Sequence, residues 1–170
     1  MKKMFLADFM LGRLARWLRV LGYDTIYSRK GIDSVLVVNA YREDRIILTR
    51  NTRLFKRIDP ARALFIHYDG FRDQVREVIE SLDLDYDTGL FLSRCLDCNL
   101  ALVPLAREEV QTKVPPYIFQ TIKEFRTCPQ CGRIFWSGTH IEEMRKLIET
   151  FWVRKDIKNE DRKRRSDEGP

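Results

Sequence analysis

What the chain lacks sets its first limits. Its 170 residues hold no run approaching the roughly 18 consecutive apolar residues of a membrane helix, because Arg13, Arg16 and Arg19 interrupt the longest early candidate. The opening Met1-Lys2-Lys3-Met4-Phe5-Leu6-Ala7-Asp8 reaches an acid after four apolar residues, against the roughly 7 to 15 of a secretory-signal core, so a cytoplasmic protein without a membrane partner is expected. Cysteines number only four; lying as two pairs in a reducing compartment, they point to metal rather than disulfides. Asn and Gln number four each, a mild mark of a thermophilic source. Apart from the cysteine pairs no internal repeat is present.

What is there is charge and a sufficient core. Lys and Arg number 31 against 25 Asp and Glu, net +6, while 44% apolar residues exclude disorder over most of the chain. The charge is uneven: residues 1 to 57 carry 13 basic and 5 acidic residues, residues 58 to 92 carry 3 and 8. A local basic excess favours a polyanionic partner, although solvated helix faces give the same pattern.

The first 70 residues alternate short apolar runs with amphipathic stretches, the pattern of a parallel sheet with crossover helices. Strands are predicted at Met4 to Ala7, Thr25 to Tyr27, Arg45 to Thr49 and Ala63 to His67. A helix over Phe9 to Leu21 gathers Leu11, Leu14, Ala15, Leu18 and Leu21 on one face, sets Arg13, Arg16 and Arg19 on the other, and stops at Gly22. Further helices are predicted from Asp33 or Ser34, after Phe71, and over Ile141 to Val153. The acidic stretch Asp83, Asp85, Asp87 with Gly89 marks a junction. The expected units are an α/β domain over 1–88, a cysteine ribbon with its closing helix over 89–153, and a charged, mobile tail over 154–170.

Cys95-Leu96-Asp97-Cys98-Asn99 and Cys128-Pro129-Gln130-Cys131-Gly132 are both C-x2-C, 29 residues apart, and form the strongest motif. Two such turns complete a tetrahedral four-thiolate site; with its coordination shell full, zinc there is structural, and iron fits the same ligands. His140 is superfluous as a ligand.

In open α/β sheets ligands bind outside the carboxyl ends of the strands. Asp8 follows the first strand, Asp33 the second, Asn51 the third and Asp69 the fourth. Clustered carboxylates there repel unless a divalent cation sits among them, and such ions clamp the oxygens of a phosphodiester in hydrolysis. Beside them lie Arg13, Arg16, Arg19, Arg50 and Arg53, a surface suited to a nucleic-acid backbone. Asp33 also reads as an N-cap, and Asp69-Gly70 as a turn.

The segments Phe5-Leu6-Ala7-Asp8, Leu11 to Arg19, Leu21 to Thr25 and Ile47-Leu48-Thr49-Arg50 closely resemble the Mut-seven C-terminal RNase domain family. So do Arg94 to Asn99, Val114-Pro115-Pro116, Cys128 to Trp136 and Gly138-Thr139-His140, so that the resemblance covers about residues 4 to 145. It implies a PIN-like α/β nuclease fold fused to a zinc ribbon, with Mg²⁺- or Mn²⁺-dependent RNase activity carried by Asp8 and, through its place ahead of the second helix, Asp33. One departure stands out: the family usually reads Leu-Thr-Arg-Asp after the third strand, and this chain reads Leu48-Thr49-Arg50-Asn51. An amide coordinates through its oxygen but brings no charge and is no general base. Asp69 is the residue placed to compensate.

The first expectation is therefore an RNase in which Asp8, Asp33 and Asp69, helped by Asn51, hold the metal. The alternative is a catalytically weak RNA- or ribosome-binding module using the basic face, the ribbon and the tail sequence Arg162-Lys163-Arg164-Arg165. Tyr117, Phe119, Phe135 and Trp136 would serve it as base-stacking residues, unless they are core.

Overall fold

The computed structural model describes residues 2–138 and 141–152. Four strands, β1 (Met4–Ala7), β2 (Thr25–Tyr27), β3 (Arg45–Thr49) and β4 (Ala63–Phe65), form a parallel sheet in the order β2-β1-β3-β4. Crossovers are made by α1 (Gly12–Val20), α2 (Ser34–Arg42) and the short α3 (Thr52–Phe55), and α4 (Phe71–Ser81) follows β4. A second, antiparallel sheet of β5 (Val103–Leu105), β6 (Phe125–Thr127) and β7 (Ile134–Trp136) carries the cysteines, with α5 (Pro116–Thr121) between β5 and β6. A last helix, α6, spans 141–152. The architecture is α/β with a small appended ribbon, as expected. Among the described residues no helix is long and apolar enough to cross a membrane.

The two central strands are buried on both faces, and their side chains alternate between two cores. Phe5, Ala7 and Leu48 join α1 and α4 on one side, with Leu11, Leu14, Leu18, Val75, Val78 and Ile79 wholly buried there. Leu6 and Ile47 point to the other side, where they meet Ala40 of α2 and Ile58. The predicted apolar face of α1 is the buried one. Its arginine face divides, however, since Arg13 and Arg16 are exposed while Arg19 is 7% exposed.

Element ends follow local chemistry. The first turn of the predicted 9–21 helix is a separate 3₁₀ turn, Phe9–Leu11, which the Asp8 carboxylate caps. Asp33 caps α2 by accepting from the Leu36 N–H, and Asn51 caps α3 by accepting from the Arg53 and Leu54 N–H groups. Strand β4 stops two residues short of the expected His67, because the His67 N–H donates to the Glu77 carboxylate of α4 instead of to the sheet. Gly22 ends α1 at φ 83°, where any Cβ would overlap the Leu90 carbonyl.

Helix α6 follows the second cysteine pair in sequence but closes the first core. Ile148 and Phe151 are fully buried within it, Phe151 lies edge-on to Trp17, and the Trp152 indole donates to the Leu84 carbonyl. The tail from 153 onward and His140 lie outside the described residues.

Candidate metal centre and strand-end rim

The four cysteine sulfurs lie within 4.8 Å of one another. Tetrahedral Zn–S bonds of about 2.3 Å separate sulfurs by about 3.8 Å, and the Cys95–Cys131 pair stands at 3.8 Å. The two turns are built alike. Asn99 N donates to Cys95 O and Gly132 N to Cys128 O, and both residues sit at φ 68°, the left-handed region open to Asn and Gly. The second β-type bond repeats too, Cys95 N to Leu100 O and Cys128 N to Arg133 O.

The thiols also show why a cation belongs there. Burial opposes a charge on Cys128, yet the amides of Cys131 and Gln130 donate to its sulfur and bring it down to about 7. Cys98 is pushed up to about 12 by hydrogen bonding with Cys131 and by burial, and burial raises Cys95. Thiolates this close repel one another, and a divalent ion would remove that repulsion. The donor set fits zinc.

The first cysteine turn is fastened to the parallel sheet. The buried Arg19 guanidinium donates to the carbonyls of Leu96 and Asp97 at 2.7 and 3.1 Å and to Thr25 O at 2.9 Å. Asn99 accepts from Thr25 N and donates to the Asp24 carboxylate, which Arg45 and Arg94 also hold. Burial opposes the charge on Asp24, but the bonds from Arg45 and Asn99 outweigh it and lower its pKa. The Asp97 carboxylate takes Arg16 at 3.5 Å and also meets Arg133 of the second turn. Arg16 and Arg19, read in the sequence as part of an exposed RNA-facing surface, are thus turned toward the ribbon.

The carboxyl edge of the parallel sheet forms the second candidate site. Asp8, at the end of central β1, is 1% exposed. One of its oxygens accepts from the Phe9 N–H at 2.7 Å and the other from the Thr49 hydroxyl at 2.8 Å. Thr49 Oγ1 in turn accepts from the Asn51 N–H at 3.0 Å, which links Asp8 to the end of β3. Among the described residues Asp8 has no cationic partner in an ion pair. Asp33 and Asn51 are exposed at the starts of α2 and α3. Asp69 does not reach in; its side chain is 91% exposed and pairs with Arg50 at 2.5 Å. Arg13 and Arg53 remain exposed on the first turns after β1 and β3.

Among the described residues the cysteine cluster is the one group of three or more His, Cys, Asp or Glu side chains close enough to share an ion. Asp8, Asp33 and Asp69 do not converge in that way. Thr49 is a rim residue that a reading confined to acids leaves out; it stands inside the Leu48-Thr49-Arg50 motif, and a hydroxyl on the last residue of the strand is the available signal.

The chain is thus an α/β protein, an open parallel sheet with a buried acid at the end of a central strand, joined to a small antiparallel ribbon whose four cysteines could bind zinc. The Mut7-C RNAse domain matches residues 3–148, and the chain belongs to that family. Membership implies a ribonuclease, with RNA as its substrate. No curated protein and no solved structure matches the chain.

Proposed function

We propose that this chain is a metal-dependent ribonuclease with a PIN-like rim whose anchor is Asp8. The observation that carries this reading is a carboxylate 1% exposed, at the carboxyl end of a central parallel strand, bonded to neutral donors alone among the described residues. A buried carboxylate without a cation is costly, and a bound divalent ion supplies the missing charge. Each oxygen keeps a lone pair beyond the bond it accepts. Mg²⁺ is typically held by one or two carboxylates and keeps several waters, so Asp8 with Asp33 would be its donor set here, and Mn²⁺ takes the same ligands; the Asn51 amide oxygen would join them on releasing one of the two N–H groups it caps. Asp69 is dropped from that set because its partner is Arg50. When bound, the ion would polarise the phosphodiester and acidify a water.

The chain's own residues orient and bind. Thr49 and the Phe9 amide fix the Asp8 carboxylate, and the Asn51 N–H fixes Thr49. Arg13 and Arg53 meet the phosphate backbone from the first turns of α1 and α3. Arg19 has no part in this, being consumed by the ribbon.

Cleavage of a single-stranded and structured RNA panel with Mn²⁺ or Mg²⁺ tests the reading, using wild type, Asp8→Asn, Asp33→Asn and Asn51→Asp with RNA binding followed in parallel. Cleavage should fall at least about 100-fold in Asp8→Asn. It should fall in Asp33→Asn and rise in Asn51→Asp, and both substitutions retain good N-caps, so stability should hold. Equal cleavage by wild type and Asp8→Asn would remove the rim from the mechanism.

A second reading is favoured by a specific observation: the Asp33 and Asn51 side chains already serve as helix caps and Asp69 is paired. On that reading the fold is kept as an RNA- or ribosome-binding module. Salt-sensitive RNA binding with cleavage gained only in Asn51→Asp is its signature.

A further inference from the structure

Between the ribbon and the α/β unit lies a cleft of about 570 Å³, within the size range of ligand pockets. The junction after α4 contributes Phe91 and Leu92, α6 contributes Met144 and Arg145, and the ribbon contributes Arg126 and Phe135. All three residues of β7 border the cleft. Ile134 and Trp136 pack with Phe125 in the ribbon's own core, while Phe135 between them belongs to none of the hydrophobic clusters. Phe135 is directly cross-strand from Arg126 of β6, so a half-buried ring and a guanidinium sit side by side on the sheet face that lines the cleft. Opposite, the Arg145 guanidinium lies 5.3 Å over the Phe91 ring. Neither arginine forms an ion pair with another described residue. Glu124 is also among the lining residues.

These groups have a common complement. A flat ring stacks on any base, two guanidinium groups take a phosphate, and a carboxylate accepts from the exocyclic amine of a base. An anionic, aromatic ligand meets all three, whereas the basic Arg162 to Arg165 segment of this chain has the wrong charge. The cleft is also separate from the strand-end rim. Leu92 N bonds Val20 O at the far end of α1, whose 9 residues span about 14 Å from the Asp8 side.

We propose that this cleft is a nucleotide-binding site, with the base stacked on Phe135 and the phosphate held by Arg126 and Arg145. The ligand is either a free mononucleotide or one nucleotide of an RNA strand. The site does not depend on Asp8 or on catalysis.

The test is a titration of the zinc-loaded full chain, without added Mg²⁺ or Mn²⁺, following the fluorescence of Trp136 and the other tryptophans. The probes are AMP, adenosine, inorganic phosphate and a short oligoadenylate, applied to wild type, Phe135→Leu, Arg126→Gln and Asp8→Asn, each checked for folding by thermal melting. AMP should saturate and bind more tightly than adenosine or phosphate. Phe135→Leu should weaken it about tenfold or more, Arg126→Gln should weaken it several-fold, and Asp8→Asn should leave it unchanged. Tighter binding of the oligoadenylate than of AMP, lost in the same two variants, identifies an RNA strand as the source; the reverse order identifies a free nucleotide. The proposal is overturned if neither AMP nor oligoadenylate saturates, if phosphate alone equals AMP, if folded Phe135→Leu and Arg126→Gln bind like wild type, or if Asp8→Asn abolishes binding. None of these outcomes bears on the cleavage experiment, in which Asp8→Asn is read by product.

Discussion

Two side chains show how much a single residue carries here. Tyr23 is 3% exposed and its hydroxyl donates to the Asp85 carbonyl at 2.8 Å. Burial, with the charges of Asp85 and Asp87 beside it, pushes its pKa up to about 12. A raised folded-state value means that the neutral phenol stabilises the fold fully below the unfolded value of about 10 and that this stability is lost as pH rises from there to about 12. Chemical unfolding across that window should show a steep loss in wild type and a flatter one in Tyr23→Phe; identical slopes would refute the assignment. Arg19 is the second case. Replacing it by Met leaves the Leu96, Asp97 and Thr25 carbonyls without their donor, which should cost about 3 kcal/mol in urea unfolding, far beyond what a surface arginine contributes.

At the scale of elements, hydrophobic periodicity was a sound guide to the long helices. Leu11, Leu14, Ala15, Leu18 and Leu21 are buried because a 3.6-residue period leaves one stripe to face the sheet. Periodicity is silent on α3, since four residues make no full pattern, and so the sequence offers Asn51 as a ligand with no sign of the capping bonds its side chain accepts from that helix. The end of α1 depends on Gly22. Gly22→Ala imposes a positive φ on a residue with a Cβ and drives that Cβ into the Leu90 carbonyl, so a loss of about 2 kcal/mol or more is expected in thermal or denaturant melts. The β4 boundary was equally local and equally hidden, because the Glu77 carboxylate that takes the His67 N–H arrives from ten residues away.

For the whole molecule, polar contacts and α6 join ribbon to sheet. Arg19, Asp24, Arg94 and Asn99 bind the first cysteine turn to the start of β2, and α6 returns from the second pair to fill the core beneath α1 and α4. Stripping zinc with a chelator should therefore lower the melting temperature of the entire chain, and not of the ribbon alone. Hydrogen exchange reports the coupling directly: the Thr25 amide, held by Asn99 Oδ1 at 2.9 Å, should lose protection when the metal leaves. If Thr25 stays protected while the ribbon amides exchange, the two units are independent.

The four-cysteine cluster, the parallel strands and the family were determined by the sequence itself. Cysteine spacing encodes a turn that is complete within five residues, and strand and helix periods are local properties of the chain. The distribution of the arginines was decided only by tertiary structure: Arg13 and Arg16 exposed, Arg19 buried on carbonyls 77 and 78 positions away. So was the fate of the acids, since Asp8 is buried against Thr49, 41 positions on, and Asp69 is turned out to Arg50. The reason is that a charge's role depends on which distant backbone and side-chain groups desolvate and pair it, and those partners are set by the packing of the sheet, ribbon and α6, not by its neighbours in sequence.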